Sequence, residues 1–129
     1  MKKILVLLLL MVVSTTVSAE WTEVGGSDNN TAYVDFETIK REGNNVKIWV
    51  LENFNTLQVA DNDKYLSIVK HSEYDCEEKT SRWLDFYSYS ENMGAGEVVY
   101  SESNIKEEYQ SIIQGSIGET ELNSACSKK

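Results

Sequence analysis

The sequence predicts an α+β fold: a single antiparallel sheet of about six strands, with a C-terminal helix packed on one face and tied by a disulfide. Three observations predict it. Short runs of aromatic and β-branched residues alternate with clusters of Asn, Asp and Gly, which is the punctuation of antiparallel strands. The C-terminal stretch "GSIGETELNSACSKK" abandons that alternation for a helical spacing. The chain also has two cysteines, Cys76 and Cys126, behind what reads as an export signal.

The signal is expected over residues 1–19. Lys2 and Lys3 form a basic start, Ile4 to Val13 an apolar core, and Val17 and Ala19 the small residues before a cut at Glu20. The apolar run is too short for a membrane span, which needs about 20 residues. Residues 20–129 are then expected as one mature domain, with no membrane span and no lipid-acceptor cysteine at the cut. No proline, linker or internal repeat divides that domain, so it reads as a single core.

The strands follow in order. "EWTEV" (20–24) is the first, ended by "GGSDNN". "TAYVDF" (31–36) is the second, after which "ETIKREGNN" is expected to break away as a loop. "VKIWVLENF" (46–54) places Val46, Ile48, Val50 and Phe54 on one face, with Trp49 and Leu51 on the other. That two-sided apolar character predicts a central strand with cover on both faces, and motivates a homodimer through the face away from the helix. "QVADNDK" (58–64) is expected as a polar connection and "YLSIVKHSEYDC" (65–76) as the fourth strand, with Leu66, Ile68, Tyr74 and Cys76 sharing a face. In the fifth, "TSRWLDFYSYS" (80–90), alternation puts Leu84 and Phe86 on one side and Trp83, Tyr87 and Tyr89 on the other. "EVVYSE" (97–102) closes the set, and "NIKEEYQSII" (104–113) is expected to be extended.

Ser116 and Glu119 have the spacing of a capping box, in which the hydroxyl takes an amide of the first turn and the carboxylate reaches back to the cap. Gly118, Leu122, Ala125 and Cys126 then share one helical face. In an exported chain an even cysteine count points to a disulfide. A bridge spanning about 50 residues is worth about 4 kcal/mol in loop entropy. A metal site would need further Cys or His ligands, and His71 is the sole histidine, so no metal is expected.

Charge narrows the partners. The full chain carries 12 Lys and Arg against 21 Asp and Glu, a net −9, and loss of Lys2 and Lys3 makes the mature domain −11. Such a field disfavours nucleic acid and anionic lipid. No nucleophile, base and orienting group can be assembled, so no enzyme activity and no cofactor are expected. His71 reads as an exposed strand residue rather than a base. Asp61 with Asp63, and Glu107 with Glu108, read as surface charge, because the first pair lacks the glycine and closing glutamate of a calcium loop. The aromatic residues Trp49, Trp83, Tyr87 and Tyr89 are the candidate binding surface, against the alternative that they pack across strands.

Taken in order, "YVDFETI" (33–39), a strand with Asn53, "YLSIVKHSEYDC" (65–76), Phe86 with Tyr87, Gly94 or Gly96, and a helix ending in Cys126 resemble the surface-adhesin protein E family of Gram-negative bacteria. The resemblance covers nearly the whole mature chain. It implies the same sheet with a helix held by a Cys76–Cys126 disulfide, a periplasmic or outer-surface location, and host matrix or serum proteins such as vitronectin and laminin as partners. Adhesive relatives carry a basic stretch before the first cysteine; here that stretch holds Asp61, Asp63, Glu73 and Asp75 against Lys64, Lys70 and His71. Two functions are therefore weighed: an exported module for cell adhesion that contacts a host or envelope protein, and a periplasmic housekeeping or ligand-binding protein on the same scaffold.

Overall fold

The computed structural model describes residues 19–127, so all but the last residue of the expected signal segment lies outside it, as do Lys128 and Lys129. The elements are β1 (Thr22–Gly26), β2 (Asn30–Glu42), β3 (Asn45–Ala60), β4 (Asp63–Asp75), β5 (Thr80–Tyr89), β6 (Val98–Glu102), β7 (Gln110–Ser111) and α1 (Ile117–Ser127). Strands β1 to β6 lie side by side in chain order, each antiparallel to the next, and β7 adds a two-residue pairing to the start of β5. This is the predicted single antiparallel sheet with one C-terminal helix.

Two strands run further than the turn-forming residues suggest. The expected loop "ETIKREGNN" is mostly strand: β2 continues to Glu42 and turns through Gly43 (φ 60°) and Asn44. What the polar residues mark is a wide bulge, because the pairing jumps from Asp35↔Trp49 to Lys40↔Lys47. Local hydrogen bonds hold the extra residues. Glu37 N donates to Asp35 Oδ1 (3.1 Å), the Thr38 hydroxyl donates to Asp35 O (2.7 Å), and Trp49 N donates to Thr38 Oγ1 (3.0 Å). The bulge lets both Phe36 and Ile39 pack on the core. Likewise "QVADNDK" is no free connection: β3 and β4 pair to Ala60↔Asp63 around a turn at Asp61 (φ 54°) and Asn62.

The core lies between one sheet face and α1. Val34, Val46, Ile48 and Val50 meet Leu122 and Ala125, with Tyr74 at the side. The helix touches β1 to β4, and comes so close to β1 that a methyl on Gly25 would meet Thr120 Cγ2 at 2.8 Å. Its start is a capping box displaced by one residue. Glu119 N donates to Ser116 Oγ (3.3 Å) as predicted, but the Glu119 carboxylate accepts from Gly115 N (3.3 Å), because Ser116 N is already bonded to Ile113 O. At the other end Cys126 is bridged to Cys76 just beyond β4, with Cα atoms 5.8 Å apart, and Arg41 Nη2 donates to Cys126 O at 3.2 Å. No helix among the described residues is long and apolar enough to cross a membrane.

Candidate binding surfaces

The four aromatic residues singled out in the sequence do not form one patch. The pairing of β4 with β5 slips between His71↔Asp85 and Ser72↔Trp83, leaving Leu84 as an extra residue in β5. One inserted residue reverses which side every residue before it faces. Trp83 therefore stands with Phe86 on the helix side, where their rings stack at 5.2 Å, and not with Tyr87 and Tyr89 as strict alternation predicts. Trp49 and Tyr87 do share the other face, their centroids 6.3 Å apart. Tyr89 pairs with Ser67 on that face, one row further along.

The face away from the helix is well filled. Trp49 stacks on His71 at 4.7 Å with the planes within 9° of parallel. Leu51 is buried, and a 3-10 turn at Asn92–Gly94 folds back over it and Val69. Asn92 Nδ2 pins the turn by donating to Asn53 Oδ1 and Phe54 O, both at 2.9 Å, and Gly94 N donates to Ser67 Oγ at 2.9 Å. The two-sided apolar character of β3 is thus answered within the chain at Leu51. His71 is half-buried rather than exposed, with Nδ1 3.4 Å from Asp85 Oδ2. Burial pushes its pKa below the usual histidine value, and Lys47 and Lys40 add to that against the opposing pull of Asp85. Next along the face, Glu73 accepts from Arg82 Nε (2.7 Å) and Tyr109 OH (2.6 Å).

The helix side carries a different surface. Beyond the edge of α1, Trp83, Phe86 and Tyr100 form a strip across β5 and β6, with Phe86 and Tyr100 edge-on at 6.1 Å. Trp83 is 40% exposed and Tyr100 45%. Carboxylates border the strip: Glu107 Oε1 accepts from Trp83 N (3.2 Å) and Glu102 Oε2 accepts from Tyr100 OH (3.1 Å). The glutamate pair 107 and 108 is thus not wholly free surface charge, since Glu107 ties the 103–109 segment to β5.

Behind Trp83 lies a buried charge cluster that the sequence reading did not find. Lys70 Nζ donates to Glu52 Oε2 at 2.5 Å, lies 3.2 Å from Glu121 Oε2, and sits 5.1 Å from the Trp83 ring centroid. Asn30 Nδ2 donates to Glu52 Oε1 (3.2 Å) and Tyr74 OH to Glu121 Oε2 (3.3 Å). Lys70 is 6% exposed and Glu121 1%. The cluster sets two carboxyl groups against a single cation. Burial pushes the Glu121 carboxyl up to about 7; Lys70 opposes that rise and Glu52 supports it. Burial alone would lower the Lys70 pKa, but Glu121 and then Glu52 outweigh it and raise the ammonium well above its usual value. Burial, with help from Glu121, likewise holds Tyr74 in its neutral form. One signal was available: Glu121 falls with Gly118, Leu122 and Ala125 on the helical face assigned to the core.

A groove of about 210 Å³ opens onto this cluster between β5 and the 111–118 segment, lined by Lys70, Tyr74, Trp83, Ile112, Gly118 and Glu121 among others. A second groove of about 240 Å³, lined by Ser81, Arg82, Trp83, Glu107 and Gln110, adjoins it at Ser81 and Trp83.

Residues 21–127 match the family described as Surface-adhesin protein E. Among solved structures, protein E from non-typeable Haemophilus influenzae resembles the chain at 15% identity and a TM-score of 0.47, over 88% of this chain and 76% of that one. Among curated proteins no sequence matches.

Proposed function

We propose, because this chain belongs to the surface-adhesin protein E family, that it works as an exported, non-catalytic binding module for a host matrix protein. In this reading residues 1–19 are a cleaved export signal and residues 20–129 the working domain. The contact surface is the strip of Trp83, Phe86 and Tyr100, and one observation carries that choice: two large rings on one open stretch of sheet stay 40% and 45% exposed. Aromatic residues of that kind anchor protein interfaces because they bury much area with few rotamers to freeze. Trp83 belongs to the set singled out from the sequence. Trp49 and Tyr87 support the opposite face by packing, and the rings of Trp49, Tyr87 and Tyr89 are all less exposed than Trp83 and Tyr100.

Charge narrows the surface such a partner would present. The strip is bordered by Glu102 and Glu107, and the mature domain is acidic throughout, so a basic surface on the partner is favoured and steered toward it.

The second reading, a periplasmic ligand-binding protein, draws on the groove behind Trp83. Protease treatment of intact cells decides between them. The adhesive reading expects digestion without permeabilising the outer membrane; protection until permeabilisation supports the periplasmic reading and removes the adhesive one.

A further inference from the structure

The two edges of the sheet are not alike. At one edge, β1 slips register at Val24, ends in Gly25 and Gly26, and has α1 lying against it, all of which make it a poor template for another strand. At the other edge, β6 is open. Val98–Glu102 holds β-branched and aromatic residues and contains neither the Pro nor the Lys that commonly blunt an edge. Its register slip leaves Val99 as an extra residue, so Tyr100, Ser101 and Glu102 stay in step with β5. Among the described residues no strand pairs with its outer side, and Val98 and Tyr100 are 49% and 45% exposed. Such an edge turns alternate backbone N–H and C=O groups outward, where only another extended backbone can pair with them as a set.

We propose that β6 is a docking edge for an extended, cationic peptide segment of a partner protein, which adds to the sheet as a further strand. Main-chain pairing supplies the fit, and side chains on alternate residues supply the selection. Glu102 pairs with Phe86 and Tyr100 with Ser88, so both side chains stand on the helix side, next to the strip of Trp83 and Phe86. An added strand sets every second residue beside them. A Lys or Arg there meets the Glu102 carboxylate and the Tyr100 ring together.

Charge favours that occupant over a second copy of this chain. Glu102 holds the Tyr100 phenol above its usual pKa by hydrogen bond and by charge, with burial, Asp63 and Asp61 adding to the rise. A cation relieves this local negative charge, whereas two mature domains at −11 each repel. Five residues at about 3.3 Å each give an edge about 17 Å long, enough for one short segment. The proposal deepens the reading of this side of the sheet as a protein-contact surface and rests on it.

The test is a titration of the intact mature chain, disulfide formed, followed by backbone amide resonances and their hydrogen exchange. The probe is an acetylated octapeptide of alternating Lys and Thr. One control is the same peptide N-methylated at every backbone amide, which keeps the charges but cannot pair as a strand. A second control carries Glu in place of Lys. The proposal expects the Lys peptide to shift the amides of Val98–Glu102 and slow their exchange, with the N-methylated peptide weaker by about tenfold or more. Glu102→Lys should move the preference between the Lys and Glu peptides toward Glu by about fivefold or more. The wild-type comparison of the two Lys peptides stands if that variant unfolds.

Equal shifts from the N-methylated peptide, no shift up to about 5 mM, or an unchanged preference in folded Glu102→Lys would overturn the proposal. So would protection of Val98–Glu102 that grows with protein concentration in the absence of peptide, which assigns the edge to a second copy. Matrix-protein binding that persists while the peptide fails removes the docking edge alone. Peptide pairing without any matrix-protein binding removes the matrix partner and supports the edge.

Discussion

Replacing Glu121 by Gln isolates the buried charge cluster, and the size of the effect follows from the structure. The Glu121 carboxyl is buried under α1, where desolvation lifts its pKa from 4.5 to about 7. That rise corresponds to about 3 kcal/mol of differential stability. The sign follows from which state releases its proton first. As pH rises from about 4.5, the unfolded chain ionises Glu121 while the folded chain still holds its proton. Stability from this group is therefore full below about pH 4.5, is lost between about 4.5 and 7, and stays lost above. Two groups slope the other way. Glu73 resists burial through Tyr109 and Arg82 and is held below its usual range, and burial lowers His71, so both add stability as pH rises. They are present in both proteins and cancel in the difference. Urea unfolding of wild type and Glu121→Gln, followed by tryptophan fluorescence from about pH 4.5 to 8, should show the variant gaining about 3 kcal/mol on wild type across that range. Parallel curves, with a gap constant to within about 0.5 kcal/mol, would refute a raised Glu121 pKa in the folded protein.

Other outcomes follow from the same contacts. Lys70→Met leaves Glu52 and Glu121 facing each other without their cation, and should cost about 3–5 kcal/mol near neutral pH in urea unfolding. Replacing both Cys76 and Cys126 by Ala frees the loop between them and should cost about 4 kcal/mol, read as a lower unfolding midpoint. Deleting Leu84 removes the β5 bulge and should turn Trp83 off the helix side, ending its ring contact with Phe86; loss of nuclear Overhauser contacts between those rings reports it.

The sheet, the helix and the bridge were legible in the sequence because each rests on a local rule: period-two alternation, a capping pair, and two cysteines in a chain whose start reads as an export signal. What escaped were the insertions. The bulges in β2 and β5 contain no Gly or Pro: residues 36–39 are Phe, Glu, Thr and Ile, and the β5 insertion is Leu84. Nothing local distinguishes them from ordinary strand or loop residues. The consequence was large, since Leu84 alone moved Trp83 to the other side of the sheet. The charge cluster was hidden for a different reason. Glu52, Lys70 and Glu121 come from three elements, and only tertiary packing brings them together. Polar letters in a strand look like its solvated face until something is known to cover them.

The central claim is that the exposed rings on the helix side engage a host matrix protein. Binding of the purified mature chain to immobilised vitronectin and laminin tests it most directly, with wild type compared against Trp83→Ala/Tyr100→Ala and against Tyr87→Ala on the other face. The account predicts that wild type and Tyr87→Ala bind at least one of the two alike, and that the double variant loses about tenfold or more in affinity. Wild-type binding to neither, or a double variant that binds as tightly as wild type, would contradict it.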